Sequence, residues 1–211
     1  MDTAATDHLL STTRAVRRRL DLERPVERDV ILDCLRLAVQ APTGGNSQGW
    51  RWLVITDEAK RAELARLYKE GGAEYLEAAR AAAEEGSQTW RVYDSALYLV
   101  DVMAKVPVMV IPCIQGRPEG GGNPLGAALY GSILPAAWSF ALALRSRGLG
   151  TSWTTLHLGK EQEAAELLGI PEDFTQVALL PVAYTTGGDF KPARRPPIET
   201  VTFWDHWGSG Q

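Results

Sequence analysis

Ala41-Pro42-Thr43-Gly44-Gly45-Asn46-Ser47-Gln48-Gly49-Trp50 stands between an apolar-striped stretch and the run Arg51-Trp52-Leu53-Val54-Ile55-Thr56. The order reads as helix, hard stop, polar turn and buried strand. Pro42 removes a backbone donor and Gly44-Gly45 supply backbone freedom, so no helix continues through this point. Upstream, Val30, Ile31, Cys34, Leu35, Ala38 and Val39 recur at helical spacing and predict a helix over 27–40. Downstream, residues 50–56 are aromatic and β-branched, which predicts a strand. The turn between them exposes backbone groups and an Asn amide, chemistry that can hydrogen-bond a flat polar ring.

Working outward, a short helix over 7–13 leads into Arg14-Ala15-Val16-Arg17-Arg18-Arg19. Guanidinium groups concentrated in this way recognise phosphate through parallel charge-assisted hydrogen bonds. Taken alone, the same run also describes a solvated basic face. Residues 57–85 read as helical with a break at Gly71-Gly72, 94–104 as a buried helix and 106–114 as a central strand. Residues 115–126 are Gly-rich and predict a loop. Residues 126–147 form a nearly all-apolar helix closed by Gly148, which must be buried centrally or at a subunit interface. A strand over 151–156, a helix over 160–168, a strand over 177–184 and an extended tail over 185–211 complete the chain. Helices mixed with few strands predict one α+β domain spanning 1–211.

The 211 residues suffice for one full core. With 22 basic against 26 acidic side chains the net charge is −4, which argues against a nucleic-acid partner and makes the arginine run a small-anion site. Cys34 and Cys113 sit in apolar runs and read as buried free thiols, which suits a reducing cytoplasm. Residues 1–13 lack a long apolar stretch, so no secretory leader is expected. The apolar run 97–114 is broken by Asp101, Lys105 and two prolines, so no membrane span is expected there. His8, His157 and His206 lack metal-ligand spacing, and no metal is expected. Gly120-Gly121-Gly122-Asn123 is not followed by the Gly-Lys-Ser/Thr of a phosphate loop, and no GxSxG nucleophile elbow occurs.

Taken in order, these segments resemble the FMN-dependent nitroreductase family. That family carries an Arg-Ser-Val-Arg-like segment near its start, matched here by Arg14-Ala15-Val16-Arg17 with Ala15 in place of the usual Ser. Its Ala-Pro-Ser-Ser/Gly-x-Asn-x-Gln-x-Trp turn is matched by residues 41–50. Gly148-Leu149-Gly150-Thr151, Leu168-Gly169-Ile170-Pro171-Glu172-Asp173, Lys191-Pro192-Ala193-Arg194-Arg195-Pro196-Pro197 and Phe203-Trp204-Asp205-His206-Trp207 follow in family order.

The resemblance implies a mainly antiparallel sheet flanked by helices, in an intertwined homodimer with FMN at the subunit interface and the 185–211 tail embracing the partner. It implies that Arg14, Ala15, Arg17 and Arg18 hold the phosphate and the polar edge of the flavin. Arg194 and Arg195 would return to the phosphate, and Thr154, Thr155 and Leu156 would lie near N5. Pro42, Thr43, Gly44 and Asn46 would approach the ring and ribityl chain from the partner subunit. The implied activity is ping-pong transfer of hydride from NADH or NADPH, by way of FMN, to a nitroaromatic, quinone or related small acceptor. Arg17 and Arg18 are then candidate electrostatic stabilisers, and no side-chain acid is required. The alternatives are an FMN-sequestering homodimer without efficient turnover, and a homodimeric interaction protein that binds no flavin.

Overall fold

The computed structural model describes residues 2–208. In chain order the elements are α1 (Thr3–Thr12), α2 (Arg28–Ala38), β1 (Trp50–Ile55), α3 (Glu58–Glu70), α4 (Ala73–Ala81), α5 (Gln88–Val102), β2 (Val108–Gln115), α6 (Gly122–Arg145), β3 (Leu149–Thr151), α7 (Glu161–Leu168), β4 (Phe174–Gln176) and β5 (Leu180–Tyr184). The strands form one sheet in the order β1-β2-β5-β3, with β4 also paired to β2, and every pairing is antiparallel. The α+β expectation, with a mainly antiparallel sheet flanked by helices, holds.

β2 is the strand around which the layers assemble. Seven of its eight residues are buried, and the two-residue period of a strand divides them between two cores. Met109, Ile111 and Cys113 join Leu64, Leu67, Leu76 and Leu99 of α3, α4 and α5. Val108 and Val110 join Ile31, Cys34, Phe140 and Leu144 of α2 and α6. A strand covered on both faces reads as a continuous apolar run, which is why residues 106–114 were legible as central.

Several boundaries differ from expectation for local reasons. α1 begins at Thr3 because the Asp2 carboxylate accepts from the Ala5 amide at 3.1 Å. α5 begins six residues earlier than expected because Ser87 caps it, accepting from the Trp90 amide at 3.1 Å. α6 starts at Gly122, inside the expected loop, with Pro124 in its first turn, where no backbone donor is needed. It then runs without interruption through Pro135.

The expected strand over 151–156 is corrected. β3 ends at Thr151, Thr154 keeps a single bridge to Leu179, and Leu156–Lys160 is a 3-10 turn. That turn packs into the gap between α3 and α4, where a Cβ on Gly71 would stand 2.0 Å from the Leu156 carbonyl oxygen. The Gly71-Gly72 break is therefore a docking notch. The strand expected over 177–184 begins only at Leu180, and β4 was not anticipated.

α6 is long and apolar enough to cross a membrane by length and composition, yet half of its apolar stretch is buried in the core. Cys34 and Cys113 are free and fully buried. The tail holds one 3-10 turn, Ile198–Val201; residues 209–211 lie outside the described residues.

His157 sits inside the 3-10 turn with no exposed surface and no hydrogen-bond partner for either ring nitrogen. Burial pushes its pKa down to about 4, against the opposing pull of Glu161. The unfolded chain takes up this proton near pH 6.5 while the folded chain does not. The neutral ring's contribution is thus complete above pH 6.5 and is lost as pH falls to about 4. That corresponds to about 3 kcal/mol across the window. Urea unfolding of His157→Leu at pH 7 and pH 4.5 should show a smaller pH dependence than wild type; an identical dependence would contradict this account.

Candidate functional site

After α1 the chain extends and docks beside β3. The Val16 amide donates to the Thr151 carbonyl at 2.9 Å, Leu20 bridges Thr185, and the Asp21 amide donates to the Tyr184 carbonyl at 2.8 Å. Gly150 permits this docking. A Cβ there would meet Thr185 Cγ2 at 2.7 Å and Val16 Cβ at 2.9 Å. Val16 is buried in the core, whereas Arg14 and Ala15 remain exposed.

Arg14 and Ala15 open onto a cleft of about 100 Å³. Trp138, Ala141 and Arg145 line it from one stripe of α6, and Gly150, Thr151 and Trp153 line it from β3 and the following turn. The lining includes two guanidinium groups and no carboxylate. Two buried polar atoms on this lining, Arg145 Nε and Thr151 Oγ1, have no hydrogen-bond partner. Orphaned donors around an acid-free cationic cleft suit an oxyanion, and indole walls beside small residues suit a flat ring.

The remaining expected residues are distributed as follows. Arg17 and Arg18 do not line this cleft. Arg18 is paired with Asp94 at 2.7 Å and stacks on Tyr98. Arg17 turns inward and donates to Ser95 Oγ at 3.3 Å; burial lowers its pKa, and Tyr68 nearby opposes that shift. Among the described residues Arg17 has no carboxylate partner, so its charge is uncompensated. Thr154 is buried and its hydroxyl donates to the Leu179 carbonyl, Thr155 is exposed, and Leu156 packs against the first core. Arg194 and Arg195 are exposed on the tail; Arg14, however, donates to the Lys191 carbonyl at 2.8 Å, so the stretch preceding them does return to the N-terminal arginine.

Pro42, Thr43, Gly44 and Asn46 lie elsewhere, on the middle of α6, where the Gly44 amide donates to Ser132 Oγ at 3.0 Å. Asn46 and Gln48 hold positive φ angles of 54° and 49° beside Gly45, and Gln48 donates to the Asn46 amide oxygen. Two non-glycine residues of this kind, separated only by Ser47 in an exposed turn, carry backbone strain that packing alone does not require.

Trp138, Arg145, Thr151 and Trp153 were not foreseen as site residues. Trp138 and Arg145 stand seven apart in a mostly apolar helix, which places them on one face, and that spacing was readable. A larger cavity of about 860 Å³ lies between Arg117, Glu161, Phe174 and Gln176. Its guanidinium is already neutralised by Glu119 and Glu161, each at 2.8 Å, and none of the expected site residues line it.

The model of the nitroreductase family matches residues 10–184. The chain belongs to the nitroreductase family. The matched span includes the cleft, while Arg194 and Arg195 lie beyond it. The chain is similar to an iodotyrosine deiodinase of Thermotoga neapolitana, 27% identical over 83% of this chain and 86% of that protein. It is also similar to an NADH dehydrogenase of Thermus thermophilus, 27% identical over 95% and 98% of the two chains. Among solved structures, an oxidised iodotyrosine deiodinase bound to FMN and 3-iodo-L-tyrosine superposes with a TM-score of 0.68 at 21% identity, covering 90% of this chain and 94% of that one. That superposition agrees with the nitroreductase fold.

Because Gly150 is flanked by two β-branched side chains, Gly150→Ala should destabilise the chain by about 1–3 kcal/mol, read from the urea midpoint. The loss should shrink when Val16→Ala is added; strict additivity would show that the two sites do not touch.

Proposed function

We propose that this nitroreductase-family chain is an FMN-dependent oxidoreductase whose site is completed by a second copy of itself. The acid-free cleft carrying Arg14 beside two indoles and an orphaned Thr151 hydroxyl is the observation that carries this reading. Bound FMN supplies a ring that accepts and returns electron pairs, chemistry no side chain here offers. Arg14 binds the phosphate, and Trp138 and Trp153 exclude water from the ring. Arg17 contributes a fixed, uncompensated positive charge that favours negative charge on a nearby reduced ring. Arg18, already held by its ion pair with Asp94, is less suited to that role. NADH or NADPH serves as donor, and a nitroaromatic, quinone or related small molecule follows it as acceptor in a ping-pong cycle; likeness to an NADH dehydrogenase supports the donor.

Three features support the second copy. The cleft volume of about 100 Å³ is below the roughly 300–1,000 Å³ typical of ligand sites, so one chain supplies part of a site. From Ser132, which anchors Gly44, to Ala141 and Arg145 is nine to thirteen residues of α6, or about 14–20 Å. A chain's own 42–46 turn therefore stands away from its own cleft, and a partner's turn can reach it. Leu134 and Trp138 leave an exposed apolar stripe on the same helix. The part of the tail that follows Lys191 would then extend over that partner.

The purified chain should take up FMN, and anaerobic mixing with NADH or NADPH should bleach the visible flavin band. Bound flavin that stays unbleached with both donors would favour the sequestering protein, and a colourless chain that takes up no FMN would end the flavin reading. Arg14→Ala should cost about 1.5–3 kcal/mol of FMN binding for the lost charged hydrogen bond. In a separate test, Leu134→Asp should sediment as a monomer with FMN binding abolished; a monomer that binds FMN normally would remove the partner from the site.

A further inference from the structure

The cleft borders a stretch that three arginine side chains hold, with Phe190 also packed against the first core. Arg14 donates to the Lys191 carbonyl at 2.8 Å, Arg19 to the Thr186 and Asp189 carbonyls at 3.0 and 3.1 Å, and Arg145 to the Gly188 carbonyl at 3.3 Å. Phe190 lies between two of these guanidinium groups, with Arg19 4.2 Å and Arg145 4.7 Å from its ring centroid. Among the described residues no carboxylate pairs with any of the three. Guanidinium planes stack on aromatic faces and keep their edge N–H groups free for acceptors, which a lysine could not do.

The unused edge belongs to Arg145. Its Nε–H is buried without a partner and the residue lines the cleft beside Arg14. A buried charged donor without an acceptor costs free energy until one arrives. A phosphomonoester carries up to two negative charges and calls for more than one cation. Arg17 and Arg18 do not line the cleft, so Arg145 is the second guanidinium available to it.

We propose that Arg145 is a binding residue for the phosphomonoester of the cofactor and that Phe190 is its positioning residue. Seating of residues 186–191 and binding of the phosphate are then coupled, each strengthening the other by the same factor. This rests on the FMN reading above and assigns that site a residue from α6 together with a strap from the tail. The strap fixes Arg145 from one side with the Gly188 carbonyl and the Phe190 ring, leaving Nε to the ligand.

The test titrates the cofactor-free chain with FMN and with riboflavin, following flavin fluorescence, and uses inorganic phosphate as a competitor. Arg145→Met should weaken FMN binding about 10- to 100-fold and leave riboflavin binding unchanged. Arg145→Lys, which keeps the charge but lacks the planar fork, should fall between. Phe190→Ala should weaken FMN binding about threefold, with Phe190→Tyr restoring it. Tryptic cleavage after Arg194 should be slowed by FMN in wild type and not in Phe190→Ala. Far-ultraviolet circular dichroism confirms that each variant is folded.

Unchanged FMN affinity in both Arg145 variants, with Arg14→Ala weakened, would overturn the assignment and leave the flavin reading intact. Equal loss of FMN and riboflavin in Arg145→Met would show a structural role only and would also overturn it. Failure of the wild-type chain to bind FMN would instead defeat the underlying reading. Competition by inorganic phosphate against FMN but not against riboflavin supports recognition of the phosphate itself.

Discussion

Everything at the cleft depends on the space a side chain at position 150 would need. Val16 and Thr185 both occupy that space, one from the N-terminal segment and the other from the start of the tail. Two ends of the chain, far apart in sequence, are thereby registered on the short strand β3. From that point the N-terminal segment offers Arg14 outward, the tail returns past Arg145, and α6 supplies the indole between them. Arginines without carboxylate partners are tolerated here because backbone carbonyls and an aromatic ring hold them in place. A hydrophobic contact thus sets the geometry of a polar site.

The larger design was legible in the residues. Pro42 with Gly44-Gly45 marked the end of α2, the aromatic and β-branched run gave β1 within a residue, and the unbroken apolar run gave β2. What escaped reading depended on contacts between distant segments. Nothing within residues 151–156 announces that Leu156 must fit the notch at Gly71, so a β-like sequence became a turn. β4 is three residues long and owes its existence to the exposed end of β2, since Phe174-Thr175-Gln176 carries no pattern of its own. The Gly-rich stretch concealed the first turn of α6 because glycine suppresses helix signals without forbidding the helix.

The arginine run shows the same limit within one segment. Arg14-Ala15-Val16-Arg17-Arg18-Arg19 presents four chemically identical side chains, and only the fold distinguishes them. Arg18 meets a carboxylate 76 residues away on α5, Arg19 holds the tail, Arg17 turns inward, and Arg14 alone reaches the cleft. Arg145, on the helix read from sequence as nearly all-apolar, joins it there. Composition could say that guanidinium groups were abundant; their spending on ion pairs, straps or ligand was decided by tertiary neighbours.

The placement of the two thiols has a bearing on handling electrons. Cys34 and Cys113 are sealed on opposite faces of the sheet, and burial pushes the Cys113 thiol up to about 12. A sulfur held protonated and out of reach neither attacks peroxide nor exchanges with disulfides at neutral pH. With both thiols enclosed, neither is placed to form a disulfide with another chain.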